Sequence, residues 1–150
     1  DTLTVGNLVS TGSILGIQQA STSTFASNAS NTNWANTGLS ITYNKQNTNS
    51  AVMIFVSQSY RVQSDCALSV RLRRGSTNIF TGDYEITEFN DIGADLSQRW
   101  SLSYLDNTTT GGNITYSTQF KKTLPSTPAG RLVAAQGNAQ TSTIQVIEIL

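Results

Sequence analysis

Short runs in which apolar residues alternate with serine, threonine, asparagine or glutamine recur along the chain. They constrain the fold more than any other feature. Leu39-Ser40-Ile41-Thr42-Tyr43, Leu68-Ser69-Val70-Arg71-Leu72, Trp100-Ser101-Leu102-Ser103-Tyr104 and Thr143-Ile144-Gln145-Val146 all repeat with period two. That period sends successive side chains to opposite faces of a strand, so each run offers one apolar and one polar face. No stretch carries the 3.6-residue period of an amphipathic helix. Turn-forming clusters separate the runs at intervals of about 8–12 residues: Asn44-Lys45-Gln46-Asn47, Gly75-Ser76-Thr77, and Asp106 through Gly112. About eight to ten strands in this rhythm predict an all-β fold, an antiparallel β-sandwich. Greek-key or jelly-roll connections would bring its first and last strands side by side.

Several runs carry more specific expectations. Val52-Met53-Ile54-Phe55-Val56 is continuously apolar, which suits a central strand covered on both faces. In the last run, Ile144, Val146 and Ile149 form the apolar set. Gly75-Ser76 turns the Leu68–Arg74 strand into a partner at 78–82, and Arg71, Arg73 and Arg74 read as a solvated or subunit-contacting strand face. Ile114, Tyr116 and Phe120 are the large residues of another strand. The segment 121–138 holds both prolines and reads as loop around a short strand, Arg131-Leu132-Val133. Thr2-Leu3-Thr4-Val5-Gly6-Asn7-Leu8 is too thin to bury its own apolar face, so residues 1–12 are expected to form an N-terminal strand segment that lies against the main domain or pairs with copies of itself. Residues 13–150 then form a single sandwich domain.

Composition narrows the chemistry. Serine and threonine supply 40 of the 150 residues, asparagine 13 more, and histidine none. The side chain that most often moves protons near neutral pH is therefore missing. Nine cations balance nine acids, leaving no basic field for nucleic acid or an anionic membrane surface. No run has the length of a membrane span. The single cysteine, Cys66, precludes an intrachain disulfide or a cysteine zinc cluster and reads as a small buried hydrophobe. The segment 83–96 is the longest irregular stretch and holds Asp83, Glu85, Glu88, Asp91 and Asp95. Their spacing does not fit an EF-hand, so a solvated loop, pairing with the arginine strand of the same or a neighbouring subunit, is expected. No catalytic residue, metal ligand or cofactor is assigned. A glycan-degrading activity would need a carboxylate pair, for which Glu85, Glu88, Asp91 and Asp95 are the local supply. The chain opens at Asp1 without a leader or initiator methionine, as a piece of a longer polypeptide would.

An ordered set of motifs resembles a known family. It comprises Gly12-Ser13-Ile14-Leu15-Gly16-Ile17-Gln18-Gln19-Ala20, Asn33-Trp34-Ala35-Asn36-Thr37-Gly38-Leu39-Ser40-Ile41 and the strand Ala51–Val56. Arg71-Leu72-Arg73-Arg74-Gly75-Ser76-Thr77-Asn78-Ile79 follows, then Trp100-Ser101-Leu102-Ser103-Tyr104-Leu105-Asp106, Ile114-Thr115-Tyr116 and Ser142–Ile149. Over roughly residues 12–150 the chain is similar to C-terminal head domains of tailed-phage fibre proteins, of the type found in phages of marine bacteria. The resemblance implies a jelly-roll-like sandwich, a homotrimer, and exposure on a virion surface alongside other virion proteins; the lead within residues 1–12 resembles the end of an intertwined β-stalk joining such a head to a shaft. It implies a non-enzymatic head that attaches the particle to a host-surface glycan or protein, with no nucleic-acid partner and no membrane insertion. The alternatives are a capsid-decorating or head-fibre protein without receptor binding, or a bacterial adhesin subunit built by strand donation. Exposed aromatics and amides in loops are the expected receptor contacts: Tyr84 and Phe89 in one stretch, Asn107 and Asn113 in another.

Overall fold

Residues 12–63, 65–88, 95–123, 131–137 and 140–150 are described by the computed structural model of the chain. They form ten strands: β1 (Ile14–Thr22), β2 (Ala26–Asn28), β3 (Ala35–Lys45), β4 (Ala51–Val62), β5 (Cys66–Arg74), β6 (Thr77–Glu88), β7 (Leu96–Asp106), β8 (Gly112–Thr123), β9 (Val133–Ala135) and β10 (Ser142–Ile149). Every pairing is antiparallel. In one sheet β4 is central. β7 lies along one edge of it, while β10 and then β9 share the other; β1 flanks β10 and β2 flanks β9. The second sheet runs β3-β8-β5-β6. The nested pairs β1–β10, β3–β8, β4–β7 and β5–β6 are those of one long hairpin, tipped at Gly75-Ser76 and rolled into two layers. That is jelly-roll topology. The first and last strands pair, as expected. Residues 1–11, which carry the expected stalk strand, lie outside the described residues.

The alternating sequence drives this arrangement, because each strand turns one parity toward the other sheet. Val52, Ile54 and Val56 of β4, with Ile144 and Val146 of β10, meet Leu39 and Ile41 of β3, Leu68, Val70 and Leu72 of β5, and Ile114 and Phe120 of β8, all buried. Each such side chain stabilises the fold by about 1.5–3 kcal/mol relative to exposure. Tyr60 anchors the aromatic centre, edge-on to Trp100 at 6.5 Å and tilted on Phe120 at 6.0 Å. Cys66 is fully buried, and burial pushes its thiol pKa up.

A polar seam crosses this core. Gln58 Oε1 of β4 accepts from Tyr60 Oη and from Thr118 Oγ1 of β8, both at 2.9 Å. Gln58 Nε2 donates to the Gln136 amide oxygen at 2.8 Å, while the Gln136 nitrogen reaches the Thr24 and Thr37 carbonyls at 2.9 and 3.0 Å. The seam ties the two sheets together where purely apolar packing would allow slippage.

Four readings need correction. Ala51–Val56 is central in its sheet but covered on one face only: Phe55 is exposed and Met53 half-buried. Ile149 falls on the outer face, because β10 keeps strict alternation and Glu148 takes the inward position. The acidic stretch is irregular for less of its length, since β6 continues to Glu88. Two extra residues of β6 between the pairs Leu68–Ile86 and Val70–Gly82 form a bulge that breaks the visible period. The short strand after the prolines is Val133–Ala135, two residues later than expected.

Candidate functional site

Two outer sheet faces differ sharply in chemistry. On the β4 sheet, one cross-strand row is Ile17, Ile147, Met53 and Leu105, spanning β1, β10, β4 and β7. Ile14, Ile149 and Ala51 flank it on one side; Gln19, Gln145, Phe55 and Ser103 flank it on the other. Ile14 is 59 % exposed, Ile17 57 %, Leu105 45 % and Phe55 38 %. Strands about 4.8 Å apart and rows about 7 Å apart make this apolar area roughly 300 Å2. That matches the largest apolar patches of ordinary monomers, which are often functional. None of the residues in the three rows is charged.

The outer face of the β3 sheet is polar and cationic. Arg71 and Arg73 project from the same face of β5, opposite Gln119 and Ser117 of β8. Gln119 Oε1 accepts from Arg71 Nε at 2.7 Å and Nη2 at 2.5 Å, and Gln119 Nε2 donates to Asn36 Oδ1 at 2.6 Å. The Arg71 guanidinium lies 4.4 Å from the centre of the Trp34 ring, and Lys121 Nζ lies 5.1 Å from it. Beside this row β3 carries two more residues than β8 between the pairs Asn36–Gln119 and Ser40–Ser117. The bulge needs Gly38 at φ +82°. It is pinned from inside by Thr37 Oγ1, 2.6 Å from Thr118 Oγ1. A hollow of about 280 Å3 results, lined by Asn36, Gly38, Leu39, Ser40, Ser117 and Thr118.

No protein-family model matches the chain, and no curated protein matches its sequence.

The third arginine of β5 behaves differently. Arg74 Nη1 donates to Asp106 Oδ1 at 2.5 Å, and Tyr116 Oη donates to Asp106 Oδ2 at 2.9 Å. This buried-end pair closes the sandwich near the β5–β6 turn. Burial, then the hydrogen bond to Asp106 and its charge, push the Tyr116 pKa up. Three described acids of the 83–96 stretch bond to partners other than the β5 arginines. Asp83 accepts from Ser69 at 2.7 Å, Glu85 from Trp100 Nε1 at 2.6 Å, and Asp95 from Arg61 Nε at 2.7 Å. The β6 bulge aims Glu85 back across the sandwich edge, toward the opposite sheet. Among the described residues no three of Asp, Glu and Cys gather as a metal site, and no helix is long and apolar enough to cross a membrane.

A fully buried carboxylate organises the same end of the core: Glu148 of β10 and Asp106 of β7 flank Val52 of β4 on its two sides. Glu148 accepts from Tyr43 Oη at 2.8 Å, from the Gln46 and Asn47 amides at 3.0 Å, and from Ser50 Oγ at 2.5 Å. Burial alone would raise its pKa. The donors from Gln46, Ser50, Asn47 and Tyr43 outweigh that and hold it below the ordinary value. Burial and this carboxylate together push the Tyr43 pKa up to about 12. Gly16 of β1 makes the arrangement possible, because a Cβ there would collide with the Tyr43 hydroxyl.

Of the four residues expected from the sequence as contacts, the three described do not all come together. Tyr84 is 53 % exposed in the β6 bulge, at φ +58°, seven residues along the strand from Thr77 and so roughly 23 Å from the β5–β6 turn. Asn107 and Asn113 are exposed at that turn's end, Asn113 beside Gly75 and Ser76. Phe89 lies outside the described residues. The sequence did not mark the Trp34, Asn36, Gln119, Arg71 cluster as a unit. Its parts sit on three strands, and only the i, i+2 spacing of Arg71 and Arg73 could have suggested it.

Proposed function

We propose that the chain is the head of a trimeric virion fibre or spike, a non-enzymatic structural protein that attaches the particle to a glycan or protein of the host surface. The observation that carries this reading is the set of apolar, uncharged rows on the outer face of the β4 sheet, with Arg61 and Arg99 further along the same face. A central strand with the sequence of a doubly covered one is left open on one side. Copies of the same chain suit that face: net charge is zero, so copies do not repel. The face is also large enough. Strands of 8–12 residues, four abreast, span roughly 630 Å2, at the lower end of the roughly 600–1,000 Å2 per partner of a standard interface. Three copies packed face to face about an axis would bury it and leave the β3 sheets outward. The ordered resemblance of residues 12–150 to phage fibre heads supports the virion role.

An antibody raised against the chain tests this by electron microscopy of virus particles. Label on projecting fibres, together with blocked adsorption to host cells, is the expected result. Label on the capsid shell would favour a decorating protein, and particles without label would overturn the virion role.

A further inference from the structure

We propose that the outer face of the β3-β8-β5-β6 sheet binds an anionic saccharide, its carboxylate or sulfate seated at Arg71 and Arg73 and its ring along the hollow beside Gly38 and Ser117. This rests on the attachment reading and names the ligand class of that head. The starting observation is a charge imbalance. A chain with nine cations and no net charge places Arg71, Arg73 and Lys121 on one sheet face. Several of the other cations are committed elsewhere: Arg61 to Asp95, Arg74 to Asp106, Lys45 to the Thr108 carbonyl and Arg99 to the Thr141 carbonyl. The bonds of Arg71 go to an amide oxygen and that of Arg73 to the Ser76 carbonyl, and neither acceptor neutralises a charge. Asp83, on the same face, is held by Ser69.

A second observation points the same way. Arg73 Nε is buried and lacks a hydrogen-bond acceptor. Buried donors are nearly always satisfied, so this one marks a place where an acceptor is wanted. Arg71 carries its own cost. Burial, and then the charge of Arg73, hold its pKa below the usual range. An anion between the two guanidiniums would offset their mutual repulsion through charge-assisted bonds, and a turn of the Arg73 side chain would bring its Nε out to the same acceptor.

The seat is also built in advance. Trp34 stacks under Arg71, Gln119 grips its Nε and Nη2, and Asn36 holds Gln119. Little side-chain freedom remains to be lost when a ligand arrives. The adjoining hollow offers an amide and hydroxyls from Asn36, Ser40 and Ser117, with Leu39 and the bare Gly38 backbone at its base. That mixture suits a sugar ring, which presents hydroxyls at its rim and C–H groups on its faces. At about 280 Å3 it holds part of a ligand, and the rest would lie on the open sheet. Nucleic acid fits less well. Duplex or single-strand binding draws on many phosphate contacts and free stacking faces, whereas here three cations stand together and the Trp34 ring is occupied by Arg71.

Isothermal titration of the full chain with three probes tests this: oligomeric alginate, sulfated dextran and neutral dextran. The expected result is binding of alginate or sulfated dextran that weakens with salt, and none of neutral dextran. Which anionic probe binds tells carboxylate from sulfate. Arg73→Gln and Arg71→Gln should each weaken binding about tenfold or more, with melting temperatures close to the parent. Equal binding by the Arg71→Gln/Arg73→Gln variant, equal binding of neutral dextran, preference for an oligothymidylate, or no binding of either anionic probe would each overturn the proposal. The same variants are scored for adsorption to host cells. Adsorption that survives loss of the arginines overturns the saccharide seat alone, whereas particles lacking the chain overturn the attachment reading itself.

Discussion

Replacing Glu148 by glutamine keeps the volume and removes the charge from the best-connected carboxylate of the core. Four donors meet it: the Tyr43 and Ser50 hydroxyls and the Gln46 and Asn47 amides. Hydrogen bonds to a charged group contribute about 1.5–3 kcal/mol each, neutral ones about 0.5–1.5. The two hydroxyls can rotate to accept from the new amide nitrogen, but the two backbone donors cannot. Weakening all four by about 1 kcal/mol each, less the relief of not burying a charge, gives a loss of roughly 2–4 kcal/mol. For a domain of this size that lowers the melting temperature by roughly 5–15 °C.

The pH dependence makes the test sharper. The Glu148 pKa is lower in the folded chain than the ordinary 4.5. Its contribution is therefore complete above pH 4.5 and disappears as pH falls through the lower folded value. Urea denaturation of parent and Glu148→Gln, at one protein concentration from pH 7 to pH 2.5, should show a constant gap down to about pH 4.5 and a closing gap below it. A gap under about 0.5 kcal/mol at pH 7, or one that does not shrink in acid, would refute this account of the β3–β4 end.

Other substitutions probe separate parts of the fold. Gln58→Leu should cost about 2–4 kcal/mol in urea denaturation despite its greater apolarity, because Tyr60 Oη, Thr118 Oγ1 and the Gln136 amide lose their partner; a loss under 1 kcal/mol would make the polar seam dispensable. Gly16→Ala should displace the Tyr43 hydroxyl from Glu148 and cost about 1–3 kcal/mol, with most of that loss absent in a Tyr43→Phe background, which a double-mutant cycle reads directly. Tyr84→Gly removes an exposed ring and a left-handed non-glycine residue, so stability should be unchanged or up to about 1 kcal/mol higher; a clear loss would mean the ring holds the bulge.

The layers of this fold were legible because period two is written plainly in β3, β5 and β8, where polar residues mark the outward parity. Legibility failed where the chain departs from that rule. In β6 the bulge at 83–85 inserts two residues, so the alternation changes phase and the strand's end reads as loop. In β10 the inward residue is Glu148, whose four donors come from segments about a hundred residues away; no local pattern announces a satisfied buried acid. The apolar run of β4 was visible, but only the register beside β1, β10 and β7 shows that its outer half joins Ile17, Ile147 and Leu105 in one uncovered row. The cationic seat depends on β5, β8 and the segment before β3 meeting side by side, which a single strand's sequence cannot express.

The central claim is that the uncovered face of the β4 sheet joins three copies of the chain. Sedimentation or mass photometry of the purified chain measures this directly. Three chains of 16.1 kDa should appear as a particle of about 48 kDa. Leu105→Arg and Ile17→Asp, exposed positions at the two ends of the apolar row, should dissociate it into folded monomers with unchanged circular dichroism. A parent chain that remains at 16.1 kDa, or a trimer untouched by both substitutions, would contradict the account.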